Sequence, residues 1–247
     1  MLEKFSELTK NLGLGLALAF GLVYSTYIGT RSMERIRGTV DVKGYAERKV
    51  KADVATWRVS VRARDEGLAD AMHLLDERSQ KLKEYLSRHE IASDEISEDM
   101  VSKTYQYKRT DKGRITNKIE AYVVERAFDI KSSDVEKIKD LSLKISELNL
   151  QGGGVTPQSP RYLLDREKLE KVKIELLAEA TKAARSRADQ FAENSGTRIG
   201  RLVSAHQGVF QVTTENATDV NDYGTYDTTS IDKIVKIVVT LSYTTGS

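Results

Sequence analysis

Trp57, Val59, Val61 and Ala63 alternate with Arg58, Ser60, Arg62 and Arg64, the period-two pattern of a strand with one buried and one wet face. The stretch before it, Thr39 to Val50, also reads as a strand. Downstream the period changes. Leu68, Ala71, Met72, Leu75, Leu82 and Leu86 recur at helical spacing and predict a long amphipathic helix that ends near His89, its apolar stripe against a sheet. Ile96 to Lys108 and Ile115 to Ile130 predict two strands, joined at Asp111-Lys112-Gly113 by hairpin chemistry. Residues 53 to 130 therefore read β-α-β-β.

A capping-box pattern, Ser133 to Glu136, opens a shorter helix over about 133–149 that would bury Val135, Ile138, Leu141, Ile145 and Leu148 and link two halves. After Gly152-Gly153-Gly154 and a strand near Val155, a second long helix is predicted from about Asp165 to Asn194. Its buried face would carry Leu169, Val172, Leu176, Ala180, Ala183 and Phe191, and Gly196 is placed to stop it. Strands at Ile199 to Val212 and Ile234 to Tyr243 complete the same order of elements, the last with Val235, Ile237, Val239, Leu241 and Tyr243 on one side. Between them Thr213 to Ser230 is polar and too long for an ordinary hairpin loop, which points to a contact segment or a mobile one. Its Asp219, Asp222, Tyr223 and Tyr226 are candidate interface or binding residues, the tyrosines as amphipathic contacts.

Ahead of this body, Leu12 to Ile28 contains no charged side chain and would reach about 25 Å as a helix. The exit sequence Tyr24 to Arg31 offers no convincing small-x-small cleavage site, so the segment reads as a retained membrane anchor rather than a cleaved signal. Arg31, Arg35, Arg37 and Lys43 outweigh Lys4 and Lys10, which taken alone favours a cytoplasmic body, although long domains translocate largely regardless of charge. Gly13, Ala17, Gly21, Ser25 and Gly29 recur every four residues and form one small-residue stripe. That stripe suits helix–helix packing in a membrane and is equally explained by the general abundance of Gly and Ala there. The chain thus divides into an anchor with juxtamembrane linker, 1–36, and a body, 37–247, with subunits at about 37–131 and 150–247.

Composition narrows the chemistry. The chain has 247 residues with 39 Lys and Arg against 37 Asp and Glu, a balance that disfavours a strongly basic nucleic-acid binder. The Arg58, Arg62 and Arg64 row reads as a solvated strand face or subunit contact. Zero Cys excludes disulfides, cysteine-ligated metals and thiol catalysis. His73, His89 and His206 lack ligand spacing, and Gly152-Gly153-Gly154 lacks the register and partners of a phosphate loop. Asp219, Asn221, Asp222 and Gly224 resemble a calcium loop only in part, since Tyr223 and Ser230 stand where ligands would be needed. Carboxylate pairs such as Asp94 with Glu95 and Glu98 with Asp99 sit among many charges and suit caps and solvation. No catalytic residue, metal or cofactor is expected.

Val42-Lys43-Gly44-Tyr45-Ala46-Glu47-Arg48-Lys49-Val50-Lys51-Ala52-Asp53-Val54-Ala55 resembles the opening signature of the SIMPL-domain family, the YggE-like periplasmic proteins. The likeness continues through Ser159-Pro160-Arg161-Tyr162, the run from Lys173 to Ala188, the Gly196 to Gly200 turn and Gln207-Gly208-Val209-Phe210-Gln211-Val212. It runs from about residue 39 to the C-terminus. The resemblance implies an α+β fold of two β-α-β-β units, long amphipathic helices on antiparallel sheets, here preceded by the transmembrane helix. It also implies export to the periplasm or cell envelope, hollow ring or barrel oligomers in some relatives, a loose link to oxidative-stress defence, and no agreed catalytic residues. The expectation is a non-enzymatic homo-oligomer held at the inner membrane with its body outside the cytoplasm, without nucleic acid as partner. The alternative is an envelope binding module that presents the 213–230 loop to another protein or ligand.

Overall fold

The computed structural model describes residues 38–215, 217 and 223–246. The expected anchor, with Gly13, Ala17, Gly21, Ser25 and Gly29, lies outside the described residues, as do Asp219 and Asp222. No helix of the described residues is long and apolar enough to cross a membrane. The fold is α+β with antiparallel sheets. Its strands are β1 (Thr39–Lys51), β2 (Val54–Asp65), β3 (Ile96–Glu98), β4 (Ser102–Arg109), β5 (Ile115–Ser132), β6 (Val155–Pro157), β7 (Arg161–Leu163), β8 (Arg198–Gln207), β9 (Gln211–Thr214) and β10 (Asp232–Gly246). The helices are α1 (Leu68–Arg88), α2 (Val135–Lys144), the short α3 (Glu147–Leu150) and α4 (Arg166–Ser195). Residue contacts separate two compact units.

The larger unit comprises Ala46–Ala178 and Val209–Ile237. Its sheet runs β3-β5-β2-β6, with β4 also on β5 and β7 also on β2. Trp57, Val59, Val61 and Ala63 are buried, as their alternation predicts, and pack with Leu75, Leu82 and Leu86 of α1 and with Phe128 and Ile130 of β5. The Trp57 indole N–H donates to the Gln158 carbonyl at 2.9 Å, so the one polar atom of that ring is satisfied inside the core. Val135, Ile138, Leu141, Ile145 and Leu148 are all buried, but the helix breaks after Lys144 into a separate turn. Its cap is Asp134, which accepts from the Lys137 amide at 3.0 Å, and not Ser133. Ser132 ends β5 with a buried side chain whose Oγ accepts from the Asp134 amide, and this moves the start one residue on.

The strand expected to open a second β-α-β-β unit does something else. β6 and β7, on either side of Pro160, both pair with β2. Gly154 turns the chain into β6 at φ +60°, and a Cβ there would lie 2.6 Å from the Arg62 carbonyl, so glycine is required on two grounds.

The smaller unit takes residues 38–45, 179–208 and 238–246. Here β10 is central, with β8 on one side and the start of β1 on the other. The Thr245 amide donates to the Gly38 carbonyl at 2.8 Å and Ser242 Oγ donates to Asp41, which sets β1 antiparallel to β10. The leading strand of this sheet therefore comes from the opening signature, far earlier in the chain than Val155. Ala180, Ala184, Ala188 and Ala192 form the buried stripe of α4 here; Val172, Leu176 and Ala180 are buried as expected, whereas Phe191 is exposed and Ala183 only half-buried, so the last two expected positions shift by one. The physical cause is Gly44. A Cβ at Gly44 would lie 1.9 Å from the Ala180 carbonyl, so strand and helix meet backbone to backbone and only a ladder of methyl groups fits. Ile199 to Val212 is likewise two strands, separated at Gly208.

Candidate functional site

The polar segment ahead of β10 supplies the most organised polar cluster among the described residues. Alternation along β10 places Lys233 in the same parity as Val235 and Ile237, so its side chain enters the protein and is fully buried. Its Nζ donates to Asp227 Oδ2 at 2.9 Å and to the Asp227 carbonyl at 2.7 Å. Asp227 also accepts from the Thr229 amide and hydroxyl, at 2.9 and 2.7 Å, and from the Ser230 amide at 3.2 Å and the Ser230 hydroxyl. Burial pushes the Asp227 carboxyl up, but the donors from Ser230, Thr229 and Lys233 outweigh it and hold the group well below the usual carboxylate range. The pair acts as a clasp: the amine is enclosed and the carboxylate accepts five hydrogen bonds.

The same turn is tied down at a second point. The Asp227 amide donates to the Val212 carbonyl at 2.8 Å, the Val212 amide to the Thr225 carbonyl at 2.7 Å, and the Leu164 amide to Tyr226 Oη at 3.1 Å. Tyr226, a candidate contact residue, is thus spent in part on fixing its own segment. Tyr223 is 94% exposed. Beside the turn lies an open cleft of about 460 Å³ lined by Tyr162, Thr229, Ser230, Asp232, Glu136 and Glu215, among others. Burial, with Glu136 and Asp140 nearby, raises the Tyr162 phenol above its ordinary value. The cleft offers hydroxyls, carboxylates and the Lys139 amine, and the Thr229 and Ser230 hydroxyls are donated to Asp227.

The other sequence candidates resolve into structural contacts. The Arg58, Arg62 and Arg64 row is matched by carboxylates: Arg58 pairs with Asp99 and Asp129, Arg62 with Glu125 and Arg64 with Glu120. Glu95 accepts from the Ala92 amide and Glu98 pairs with Lys83 and Arg126. His73 and His206 are exposed on separate elements, and His89 closes α1 against the Tyr85 ring. Among the described residues no three His, Cys, Asp or Glu side chains are placed to hold a metal ion. The Gly152-Gly153-Gly154 run is a turn, with the Gly153 amide bonded to the Leu148 carbonyl. Sequence reasoning missed Lys233 and Asp227. The signal was present, since Lys233 shares the parity of the buried row.

Residues of the opening signature have packing duties. Gly44 admits α4, Arg48 pairs with Glu175, and Ala52 and Ala55 are buried. Asp53 accepts from the Asp165 amide at 2.6 Å and pairs with Lys168 at 2.8 Å, seating the first turn of α4; these bonds depress its carboxyl against the opposing pull of burial. An α+β body whose opening signature serves helix seating and close strand–helix packing defines a class recognised by its architecture. The chain belongs to the SIMPL family, described as a protein of unknown function (DUF541), whose family model matches residues 40–240. No curated protein matches the chain.

Proposed function

We propose that this protein is a non-enzymatic assembly component of the cell envelope. Residues 12–28 hold it in the inner membrane, the body lies outside the cytoplasm, and copies associate head to tail into a ring or barrel-like oligomer that serves stress defence. The observation that carries this reading is the edge strand β8, which pairs only with β10 among the described residues and exposes Leu202 and Val203. An apolar edge must be covered, blunted or paired, and a neighbouring copy supplies both backbone partners and apolar cover. A closed ring would bring several anchors into one membrane patch, where the Gly13, Ala17, Gly21, Ser25 and Gly29 stripe gains effective concentration.

Native mass spectrometry with light scattering on the full chain in mild detergent tests both parts. An intact subunit in a large discrete particle is expected; a trimmed monomer would overturn the reading. The second reading, a binding module, is favoured by the almost complete exposure of Tyr223 beside a firmly clasped turn. Shortening the loop across residues 216–222 with Asp227 retained separates the two: a lost partner with an intact oligomer supports binding, and a lost oligomer supports assembly.

A further inference from the structure

The β4–β5 hairpin combines three features that assembly and family membership leave unexplained. Every residue of β4 is exposed, and among the described residues the strand pairs only with β5. The turn is tight: the Thr110 amide bonds the Arg114 carbonyl at 2.9 Å, the Gly113 amide bonds the Thr110 carbonyl at 2.7 Å, and Gly113 sits at φ +75°. The hairpin is therefore a defined arm with a hydrogen-bonded tip.

One face of that arm carries a row of aromatic and aliphatic side chains flanked by Lys103 and Arg109. Tyr105 stands opposite Tyr122, Tyr107 opposite Ile119, and Arg109 opposite Ile115, and residues directly opposite share a face. The Tyr105 ring lies 5.7 Å from that of Tyr122 and 6.3 Å from that of Tyr107, so the row is continuous. Nearer the core, Val124 is buried and Tyr122 packs against the cluster that includes α1. Farther out the row loses its cover, and Ile115, next to the turn, is 65% exposed.

The arm is also the place where charge is left unbalanced. Residues 102–120 hold Lys103, Lys108, Arg109, Lys112, Arg114 and Lys118 against Asp111 and Glu120, and Glu120 is engaged by Arg64. Among the described residues none of the six cations forms an ion pair, whereas all three arginines of β2 do. Chain-wide, cations exceed anions by only two, so this excess is local.

The geometry points to tip-first docking of the β4–β5 hairpin on an anionic phospholipid surface. Cations at the turn and along both strands would meet lipid phosphates, while Ile115, Tyr107 and Ile119 enter the boundary between headgroup and acyl chain. A rigid protein partner would engage one face of the arm; a fluid surface engages all sides of an inserted tip, which is how the charges are distributed. Exposed isoleucines beside the turn have no counterpart in a nucleic-acid backbone. This goes beyond the assembly reading and needs neither the anchor nor the ring.

The chain has no cysteine, so Ile115→Cys gives a single site for an environment-sensitive fluorophore, with Ser87→Cys at the exposed end of α1 as a control. The full chain is reconstituted with phosphatidylcholine vesicles, with or without phosphatidylglycerol. A several-fold rise and blue shift at 115 is expected with phosphatidylglycerol only, reversed by high salt and by the combined Lys108→Glu, Arg109→Glu, Lys112→Glu and Arg114→Glu variant, while the label at 87 stays silent. An unshifted label on vesicle-bound protein, or an equal shift on neutral vesicles, overturns the proposal. A shift in detergent that grows with protein concentration overturns it in favour of a second copy, and one produced by an oligonucleotide without lipid overturns it in favour of nucleic acid. The label reads the arm and the mass measurement reads anchor and ring, so either idea can fail alone.

Discussion

The Asp227 turn and the β4–β5 hairpin are both polar excursions that carry tyrosines, yet they spend those groups in opposite ways. In the turn, Lys233 is drawn inside by strand parity and the carboxylate that meets it is saturated with donors. The Tyr226 hydroxyl accepts from the Leu164 amide. In the hairpin, among the described residues, the cations remain without carboxylates, and Tyr105 meets the Tyr107 and Tyr122 rings at tilted and edge-on angles. A polar segment that satisfies itself is fixed framework, while one that leaves charge and apolar surface unspent has capacity for a partner. Residue type does not separate the two; pairing does.

The sharpest way to break this comparison is to open the clasp. Lys233→Met leaves a desolvated carboxylate behind and should lower the free energy of unfolding by about 3–5 kcal/mol in denaturant titrations. Adding Asp227→Leu should recover part of that loss, because no unpaired charge remains. Acid is a gentler probe. The folded carboxyl of Asp227 is held below its unfolded value, so its stabilisation is fully present above about pH 4 and is lost as pH falls below that. The wild-type protein should therefore lose more stability on acidification than the Lys233→Met, Asp227→Leu double variant, by an amount on the order of 1–3 kcal/mol. Tyr226→Phe removes one acceptor from the half-exposed turn and should cost about 0.5–1.5 kcal/mol. At the other extreme, Tyr107→Ser or Lys112→Glu in the hairpin should move stability by no more than about 0.5 kcal/mol, measured by the same titration. A hairpin substitution as costly as Lys233→Met would erase the distinction between the two regions.

Local order was legible in the chain. The alternations at Trp57 to Ala63 and Val235 to Tyr243, the helical stripe of α1, the linker helix and the glycine stop at Gly196 all follow from periodicity and backbone preference. What periodicity cannot carry is a partner at a distance. The pairing of β1 with β10, and of β6 and β7 with β2, depends on which edges are free once the remainder has folded. On α4 the expected Val172, Leu176 and Ala180 are buried, but beyond them Ala184 and Ala192 replace Ala183 and Phe191, because a large apolar residue outranks alanine on hydrophobicity alone, while Gly44 meets the helix backbone at Ala180 and Ala184. The clasp hid for a related reason: Lys233 reads as a wet residue until Asp227, from a segment expected to be a contact or mobile, is placed against it. Of the candidate contact residues, Tyr223 is exposed and Tyr226 is partly committed to structure.

The bond between Gly38 and Thr245 joins residues 207 positions apart. Residues 54–132 can begin to assemble β2, α1 and β5 from neighbours in the chain, but among the described residues the one strand that pairs with β1 is β10. At a synthesis rate of about 5–20 residues per second, the ribosome needs about 10–40 s to cover those 207 positions. For that interval a strand of 13 residues carries an unmatched row of amides and carbonyls. The first of the described strands to be made is among the last to be used, and in the nascent chain its amides and carbonyls are open to pairing elsewhere.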